Sequence, residues 1–261
     1  MTIRTGFITG TGFYTLPNIK NVRLENVQTP FGDVSVEIGK LGEEEIAFIA
    51  RHGKQHTIAP DKINFRANIY AMHMLGVERI LATSVSGSLH LAWPPGTLVL
   101  IDQFLDFTKG RVQSFYPLDG KLAHVDVTDP YCPTMRQLLM DKAHEMNIPL
   151  QQGATYACFS GPRFETRAEI EMVRRLGGDL VGQTNFPESM LAREMAICYA
   201  TVGVVSNLAA GMKNSSVTAT EVTLNLKSLG DTIANLFEAV VCSLPEPYDC
   251  SCCHALDEAF L

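Results

Sequence analysis

Residues 61–89, DKINFRANIYAMHMLGVERILATSVSGSL, contain the change of hydrophobic period that decides the fold. Apolar side chains recur at helical spacing through the first half of this stretch, at Ile63, Ala67, Tyr70 and Met74. This spacing predicts an amphipathic helix over 61–76, which Gly76 is placed to end. The apolar run that follows at 79–83 is typical of a buried strand.

The alternation of helical and strand patterns continues along the chain. Further helices are predicted at 133–146, 170–176 and 187–200, and along an apolar face from 222 to 240. Further strands are predicted at 7–8, 34–38, 46–50, 97–101, 154–159 and 202–206. Alternating units of this kind indicate the α/β class, with three layers and a largely parallel sheet. Because no linker interrupts them, we expect residues 1–261 to form one domain.

The composition excludes several classes of protein. The 261 residues carry a formal charge of −7, and 46% of them are hydrophobic. A protein that binds duplex nucleic acid would need a basic surface, so no nucleic acid is expected as a partner. No apolar run approaches the about 20 residues that cross a bilayer, so no membrane partner is expected either. Seven cysteines without an export signal indicate reduced thiols and a cytoplasmic location.

Segments near the ends of the predicted strands are rich in ligand-binding groups. Ligands of open α/β sheets gather at this position, beyond the carboxyl ends of strands. The segments are TGTGFY (9–14), ARHGKQH (50–56), ATSVSGSL (82–89), GPRFET (161–166), GQTNFPE (182–188) and SNLAAG (206–211).

Taken singly, each segment also has an ordinary structural explanation. Gly10 and Thr11 favour a small anion site over a dinucleotide fingerprint, because the third glycine is missing. Arg51 can bind a phosphate with two hydrogen bonds, or can be a surface or ion-pair residue. Phe164 can stack on a planar heterocycle while Glu165 accepts from ring N–H groups. Alternatively, Phe164 lies in the core and Glu165 favours a helix N-terminus.

Together the segments resemble the trimeric purine nucleoside phosphorylase and methylthioadenosine phosphorylase family. The matching pieces are RHG..H (51–56), RANIYA (66–71), GSL (87–89), GPRFET (161–166), T..PE (184–188), LARE (191–194), CYA (198–200) and N.AAG (207–211). They occur in the family's order over nearly the whole chain. The resemblance implies a three-layer phosphorylase-like fold, with a central, largely parallel mixed sheet flanked by helices. It also implies a homotrimer that uses inorganic phosphate as co-substrate and needs no cofactor.

The resemblance also implies roles for individual residues. Phosphate would be bound by Thr11, Arg51, His52, Ser84 and Thr184. The nucleoside would be bound by Val85, Phe164, Gln183, Ala209 and Thr220, and His124 would reach the 5′ side of a neighbouring subunit's site. Gln183 stands where the family is expected to have Met.

Glu165 and Asn207, the implied catalytic pair, match the branch of the family that acts on 6-oxopurines. In the methylthioadenosine branch, a serine is expected at the position of Glu165 and an aspartate at that of Asn207. Chemistry supports the division, because a 6-oxopurine offers an N1–H donor to a carboxylate, and its N7 can share a proton with an amide carbonyl. We therefore expect hypoxanthine or guanine nucleosides as substrates.

The 5′ substituent of the substrate is predicted less sharply. The branch that uses ordinary nucleosides is expected to carry a His near the start of the last helix, and SVTATEV (216–222) has none. This absence is compatible with a methylthio group and makes S-methyl-5′-thioinosine a candidate. Inosine and guanosine stay open.

Three other functions compete with this one: a methylthioadenosine phosphorylase, a phosphate-independent nucleosidase and a nucleoside-binding module without catalysis. A nucleosidase would need a general acid to assist water, whereas the sequence offers a phosphate site. The tail CSCCHALDEAF (250–260) invites a zinc site through Cys250, Cys252, Cys253 and His254. These ligands are spaced more closely than is usual, so packing of the tail is favoured and no metal is predicted.

Overall fold

The computed structural model describes residues 3–15, 18–117, 120–212, 218, 226, 229–245 and 249–260. The strands in this part of the chain are β1 Thr5–Thr9, β2 Lys20–Thr29, β3 Gly32–Leu41, β4 Glu44–Ala50, β5 Arg79–Ser88, β6 Leu98–Leu100, β7 Gln103–Phe107, β8 Leu150–Gln152, β9 Thr155–Phe159, β10 Leu180–Gly182 and β11 Cys198–Leu208. The α-helices are α1 Phe65–Met74, α2 Pro133–Glu145, α3 Arg167–Arg175, α4 Glu188–Glu194 and α5 Gly230–Val241. None of these helices is long and apolar enough to cross a membrane.

All of these strands join one mixed sheet, as the α/β prediction requires. Its main path runs β2-β3-β4-β1-β5-β10-β9-β7, and β11 joins β5 to β6 and then β8. Parallel pairs form the centre, where β1 lies between β4 and β5 and β11 lies along β5. Since strands from both halves of the chain share this sheet, we infer that residues 1–261 form one domain.

Helices cover both faces of the sheet, which gives the three predicted layers. Because successive side chains of a strand point to opposite faces, Phe7 of β1 joins the apolar cluster with α2 and α5, while Ile8 joins the cluster with α1 and α4. Leu81 and Ile80 of β5 divide in the same way. Both layers of core therefore depend on the central strands.

The sheet opens along one edge of β5. The first half of β5 pairs with β1, where Ile8 lies opposite Ala82. Its last residues pair on that side with β10, which runs antiparallel, so that Val181 lies opposite Gly87 and Leu180 opposite Ser88. The carboxyl ends of β1 and β10 therefore point toward each other, and the segment around Val85 lies between them.

Several predicted boundaries need correction. The predicted helix over 187–200 is wrong beyond α4, because residues from Cys198 onward pair with β5 as β11. The strand predicted at 79–83 is too short, since β5 continues to Ser88 and the segment 82–89 is therefore mostly strand. Strand β2 was not predicted, because most of its side chains are exposed and it has no apolar face to show. The predicted start of the last helix near Val222 lies outside the described residues.

We expect Phe237→Ala to lower the free energy of unfolding by about 3–5 kcal/mol, as large-to-small changes of buried aromatic residues do. Phe237 of α5 is fully buried and stacks on Phe7 of β1 with ring centroids 5.7 Å apart. Urea unfolding would measure the change. Leu176→Ala, at a position 57% exposed, is the control and should cost less than about 1 kcal/mol. Equal losses in the two variants would contradict this account of the core.

Candidate active site

A cavity of about 490 Å³ lies where the ends of β1 and β10 converge on β5. Its wall includes residues that follow β1 and β4, residues from the carboxyl-terminal part of β5, and the loops after β9 and β10. Among the residues predicted from the sequence, the structure brings to this wall Thr11, His52, Val85, Phe164, Glu165, Gln183, Thr184, Asn207 and Ala209. The sequence thus predicted much of the wall.

Three of the other predicted residues do not line this wall, and the fourth is not among the described residues. Arg51 and Ser84 are buried and do not line the cavity. His124 is exposed and is not on the wall of its own chain's cavity; its backbone N–H donates to the carbonyl of Ala259. Thr220 lies outside the described residues.

Arg51 forms a buried ion pair with Glu188. The Nε and Nη2 atoms of Arg51 donate to the two carboxylate oxygens of Glu188 at 2.6 and 2.8 Å, and neither side chain is exposed. Nη1 donates to the carbonyl of Thr83 and Nη2 also to that of Ile8. Although burial lowers the pKa of Arg51, the carboxylate of Glu188 raises it above its ordinary value overall. The two hydrogen bonds that Arg51 was predicted to donate to phosphate are therefore donated to Glu188 instead.

Gly10 lets the cavity floor approach this arginine. A Cβ atom at position 10 would lie 2.9 Å from Nη1 of Arg51, closer than such contacts allow. Of the five N–H groups of the guanidinium, the four bonds to Glu188, Thr83 and Ile8 leave one, which is on Nη1. Arg51 can therefore offer at most this single donor toward the glycine loop, on which Gly10 and Thr11 line the cavity.

His52 meets the cavity as a neutral ring. Its Nδ1 lies 2.8 Å from the carbonyl oxygen of Ile58. A carbonyl can only accept, so Nδ1 carries the proton and Nε2 is an acceptor in the neutral form. Burial lowers the pKa of His52 to about 4, with a further contribution from the charge of Arg51. At neutral pH this residue contributes a hydrogen-bond acceptor rather than a positive charge.

Phe164 and Glu165 lie on the loop between β9 and α3. Phe164 is 44% exposed, so it is not a core residue, and its ring forms part of the wall. Glu165 is buried, and no side chain or backbone group in the described part of the chain hydrogen-bonds its Oε1. Burial raises the pKa of this carboxyl above its usual range. A buried acceptor beside an exposed aromatic ring suits a planar ligand with an N–H donor.

Asn207 is placed by an irregularity in β11. The pairing of β11 with β5 shifts between Val205 and Asn207, so that Asn207 lies opposite Gly87. Its Nδ2 donates to the carbonyl of Leu208, and its Oδ1 accepts from Ser206. These bonds orient the amide and leave one donor and one acceptor position for a ligand. The predicted end of this strand at 206 is therefore two residues short.

Gln183 anchors one loop of the wall to another. Its Nε2 donates to the carbonyl of Arg163 at 2.9 Å. A Cβ atom at Gly161 would collide with its Oε1, and Gly161 also has a φ of +72°, so only glycine suits that position. Where Met was expected to pack on a sugar, this glutamine holds the loop that carries Glu165.

Arg111, which the sequence patterns did not reveal, also shapes the site, together with Tyr14 and His56 from the predicted segments 9–14 and 50–56. Arg111 donates to backbone carbonyls of the segments that follow β9 and β10, with the shortest bonds to Phe186 and Gln183 at 2.6 and 2.7 Å. Tyr14 and His56 line the cavity and are joined by a hydrogen bond. Arg111 lies in no segment that follows a predicted strand. Glu188 was suggested only by the T..PE match, which gave no indication that it pairs with Arg51.

The fold and the cavity define an α/β protein that can hold a planar heterocycle at one end and an anion at the other. Residues 4–241 match the family model described as "Phosphorylase superfamily", and the chain belongs to this superfamily.

Named relatives cover almost the whole chain. It is 46% identical over 262 residues to a 6-oxopurine nucleoside phosphorylase of Pyrococcus furiosus, covering 98% of both chains. It is 45% identical to a probable S-methyl-5′-thioinosine phosphorylase of Methanopyrus kandleri, covering 97% of this chain and 98% of that one. A crystal structure of methylthioadenosine phosphorylase from an antarctic soil metagenomic library superimposes with a TM-score of 0.92 at 33% identity, covering 100% of this chain and 93% of that one.

We expect Glu188→Gln to lower the free energy of unfolding by about 3–5 kcal/mol, because it leaves the buried guanidinium of Arg51 without a counter-charge. Chemical denaturation would measure the loss. Glu171→Gln is the matched control, since Glu171 pairs with Arg174 and Arg175 on an exposed face, and should cost less than about 1 kcal/mol. A Glu188→Gln loss as small as that of the control would contradict a dependence of the fold on this pair.

The neutral state of His52 predicts a dependence of stability on pH. With a pKa of about 4 when folded and about 6.5 when unfolded, His52 binds more protons in the unfolded state between these values. Its contribution to stability is therefore present above pH 6.5 and is lost as pH falls toward 4. The unfolding free energy of His52→Gln should fall less steeply over this range than that of the wild type. The unfolding free energies of both proteins are measured by denaturant at pH 4.5, 5.5 and 6.5. If they change with pH by the same amount, the proposed lowering of the His52 pKa is wrong.

Proposed function

We propose that this protein catalyses the reversible phosphorolysis of 6-oxopurine nucleosides, giving the free purine and a pentose 1-phosphate. It is then a pentosyltransferase of purine salvage. The observation that carries the proposal is the buried Oε1 of Glu165, which has no partner in the described part of the chain and lies on the cavity wall beside Phe164. Names of relatives that act on 6-oxopurine nucleosides support it.

The base would be recognised by three side chains. Phe164 stacks on the ring plane, and the carboxylate of Glu165 accepts from N1–H of the purine. Asn207 faces N7, and the free acceptor position of its Oδ1 receives a hydrogen bond when N7 gains a proton. Adenine carries no hydrogen on N1, so Glu165 would face an acceptor and be left unpaired, which a buried site penalises strongly.

Phosphate would bind at the other end, near the glycine loop. Thr11 and Thr184 line the cavity, and Nη1 of Arg51, which carries the remaining N–H, lies close to Gly10. Ser84 is buried in β5 next to Val85 and completes the predicted set. Because Nε2 of neutral His52 is an acceptor, it suits the P–OH group of monohydrogen phosphate.

The reaction needs no covalent enzyme intermediate. As the glycosidic bond lengthens, positive charge develops on the ribose and negative charge on the leaving purine. The bound monohydrogen phosphate stabilises the sugar cation and attacks C1′ from the face opposite the base. As the new C–O bond forms, the phosphate gives up its proton to water, and N7 of the leaving purine takes up a proton from water and is stabilised by Asn207. Alignment and preorganised dipoles supply the rate enhancement, with inorganic phosphate as co-substrate and no organic cofactor.

For the sugar we propose that Val85 and Gln183 line the ribose, with Ala209 and Thr220 also close to the nucleoside. The absence of His from 216–222 favours S-methyl-5′-thioinosine, and a relative named as a probable phosphorylase of that nucleoside supports this choice. Inosine and guanosine are the competing substrates.

We further propose a cytoplasmic homotrimer in which His124 completes a neighbouring subunit's site. The exposure of His124, away from its own chain's cavity, supports this assignment.

The experiment that tests the function measures release of base from S-methyl-5′-thioinosine, inosine, guanosine and methylthioadenosine, each as kcat/KM. With phosphate we expect a 6-oxopurine nucleoside to lead methylthioadenosine by at least about 100-fold, because Glu165 needs the N1–H donor. Without phosphate, turnover should stop. Continued release without phosphate would mean a nucleosidase, and a lead for methylthioadenosine would refute the roles of Glu165 and Asn207.

Substitution of Asn207, compared with the same substitution elsewhere, tests the role of this residue in recognition of the base. Asn207→Asp should lower kcat/KM for inosine by about 10²–10³, because the carboxylate lacks the amide donor and its charge opposes the negative charge that develops on the leaving purine. Asn147→Asp, the same change at an exposed position, is the matched control and should leave kcat/KM within about twofold of the wild type. An unchanged value for Asn207→Asp would remove this residue from the mechanism.

A further inference from the structure

Four cysteines meet on the side of the molecule where β11 begins. The Sγ atoms of Cys132, Cys198, Cys250 and Cys252 all lie within 4.8 Å of one another. Cys132 directly precedes α2, Cys198 is the first residue of β11, and Cys250 and Cys252 belong to the C-terminal tail. Three separate parts of the chain therefore bring their thiols to one point.

The spacing of the sulfurs fits a single tetrahedral ion. A Zn–S bond of about 2.3 Å places two sulfurs of a tetrahedron about 3.8 Å apart. The Sγ atoms of Cys132 and Cys250 are 3.8 Å apart, and those of Cys198 and Cys250 are 3.0 Å apart. Small adjustments of the side chains would place all four at ligand distance from one ion.

The surroundings of the cluster suit metal-bound thiolates. Cys132, Cys198 and Cys252 are buried, and Cys250 is half-buried. Cys132 is the N-cap of the 13-residue helix α2, and its Sγ accepts the backbone N–H of Met135 at 3.5 Å. A helix N-terminus and an N–H donor both stabilise negative charge on sulfur. They would offset part of the net charge of −2 that four thiolates and Zn²⁺ carry.

We propose that Cys132, Cys198, Cys250 and Cys252 form a structural Zn²⁺ site. Four thiolates are the ligand set of closed zinc sites, which leave no position for substrate. The site is also far from the cavity, because Asn207 lies nine residues along β11 from Cys198, about 30 Å in an extended strand. The ion would hold the fold together and take no part in phosphorolysis.

The zinc site would fasten the tail to the core and, through the tail, the segment around His124. The carbonyl of Ala259 accepts the backbone N–H of His124 at 2.8 Å, and Phe260 forms a β-bridge with Ala123. A site that fixes Cys250 and Cys252 thus fixes the start of the segment that holds His124 in place.

This ligand set differs from the one weighed from the sequence. His254 is exposed and bonds to Asp249 and Asp257 instead, and Cys253 lies 3.9 Å from Cys250 but outside the group of four. Two of the four ligands come from the tail and two from distant positions. The expectation of no metal rested on spacing within the tail alone, where the second pair of ligands cannot be seen.

Metal analysis of untagged protein, purified with a reductant and without chelator, tests the proposal. We expect about one zinc per chain in the wild type. Cys252→Ser should lose most of it, while Cys242→Ser should keep it, because Cys242 is exposed and lies outside the group. If Cys252→Ser does not fold, cobalt exchanged into the wild type should show the visible absorption of a tetrahedral thiolate site.

A count of free thiols supplies the contrary outcomes. Seven titratable thiols per denatured chain, together with less than about 0.1 zinc, would overturn the proposal. Fewer than seven in protein that was never reduced, again without zinc, would show that the cluster forms disulfides instead. One iron and no zinc per chain would refute the choice of metal. Retention of zinc by Cys252→Ser would refute the ligand set.

Discussion

The buried pair of Arg51 and Glu188 is the interaction on which the arrangement of the site depends. Burying two charged groups away from water costs free energy unless their hydrogen bonds are complete. Here the guanidinium donates to both oxygens of the carboxylate. The same guanidinium binds carbonyls of Ile8 and Thr83. One side chain therefore joins β1, β4, β5 and α4 beneath the cavity, and Tyr199 of β11 donates to the same carboxylate.

The position of this pair follows from the opening in the sheet. Where β1 ends and β10 has not yet begun to pair, the edge of β5 lacks a neighbouring strand, and its backbone groups need other partners. Arg51 supplies one to the carbonyl of Thr83. The interruption that creates a space for ligand thus also creates the need for a buried donor, which explains why cavity and ion pair occur together.

Local patterns predicted the helices and central strands, and the resemblance predicted much of the cavity wall, because ligand-binding loops keep their composition. They did not predict the antiparallel direction of β10, since three residues carry no sign of orientation. Nor could they pair Arg51 with Glu188, or Cys132 and Cys198 with the tail, because partners so far apart meet only in the folded sheet. Strand β2 was not predicted, because its mostly exposed side chains form no apolar face.

The cavity presents a ligand mainly with oriented dipoles rather than with a net positive charge. Glu188 neutralises Arg51, and burial keeps His52 uncharged. The other groups on this wall include the hydroxyls of Thr11 and Thr184 and the imidazole of His56, which is hydrogen-bonded to Tyr14. In the proposed reaction the phosphate must bind and yet retain enough negative charge to stabilise a cationic sugar. A site with unpaired cations would hold phosphate tightly and weaken that interaction, whereas oriented dipoles position it and leave its charge available to C1′. In the proposed reaction, the ion pair beneath Gly10 would therefore assist by removing a charge as much as by supplying a donor.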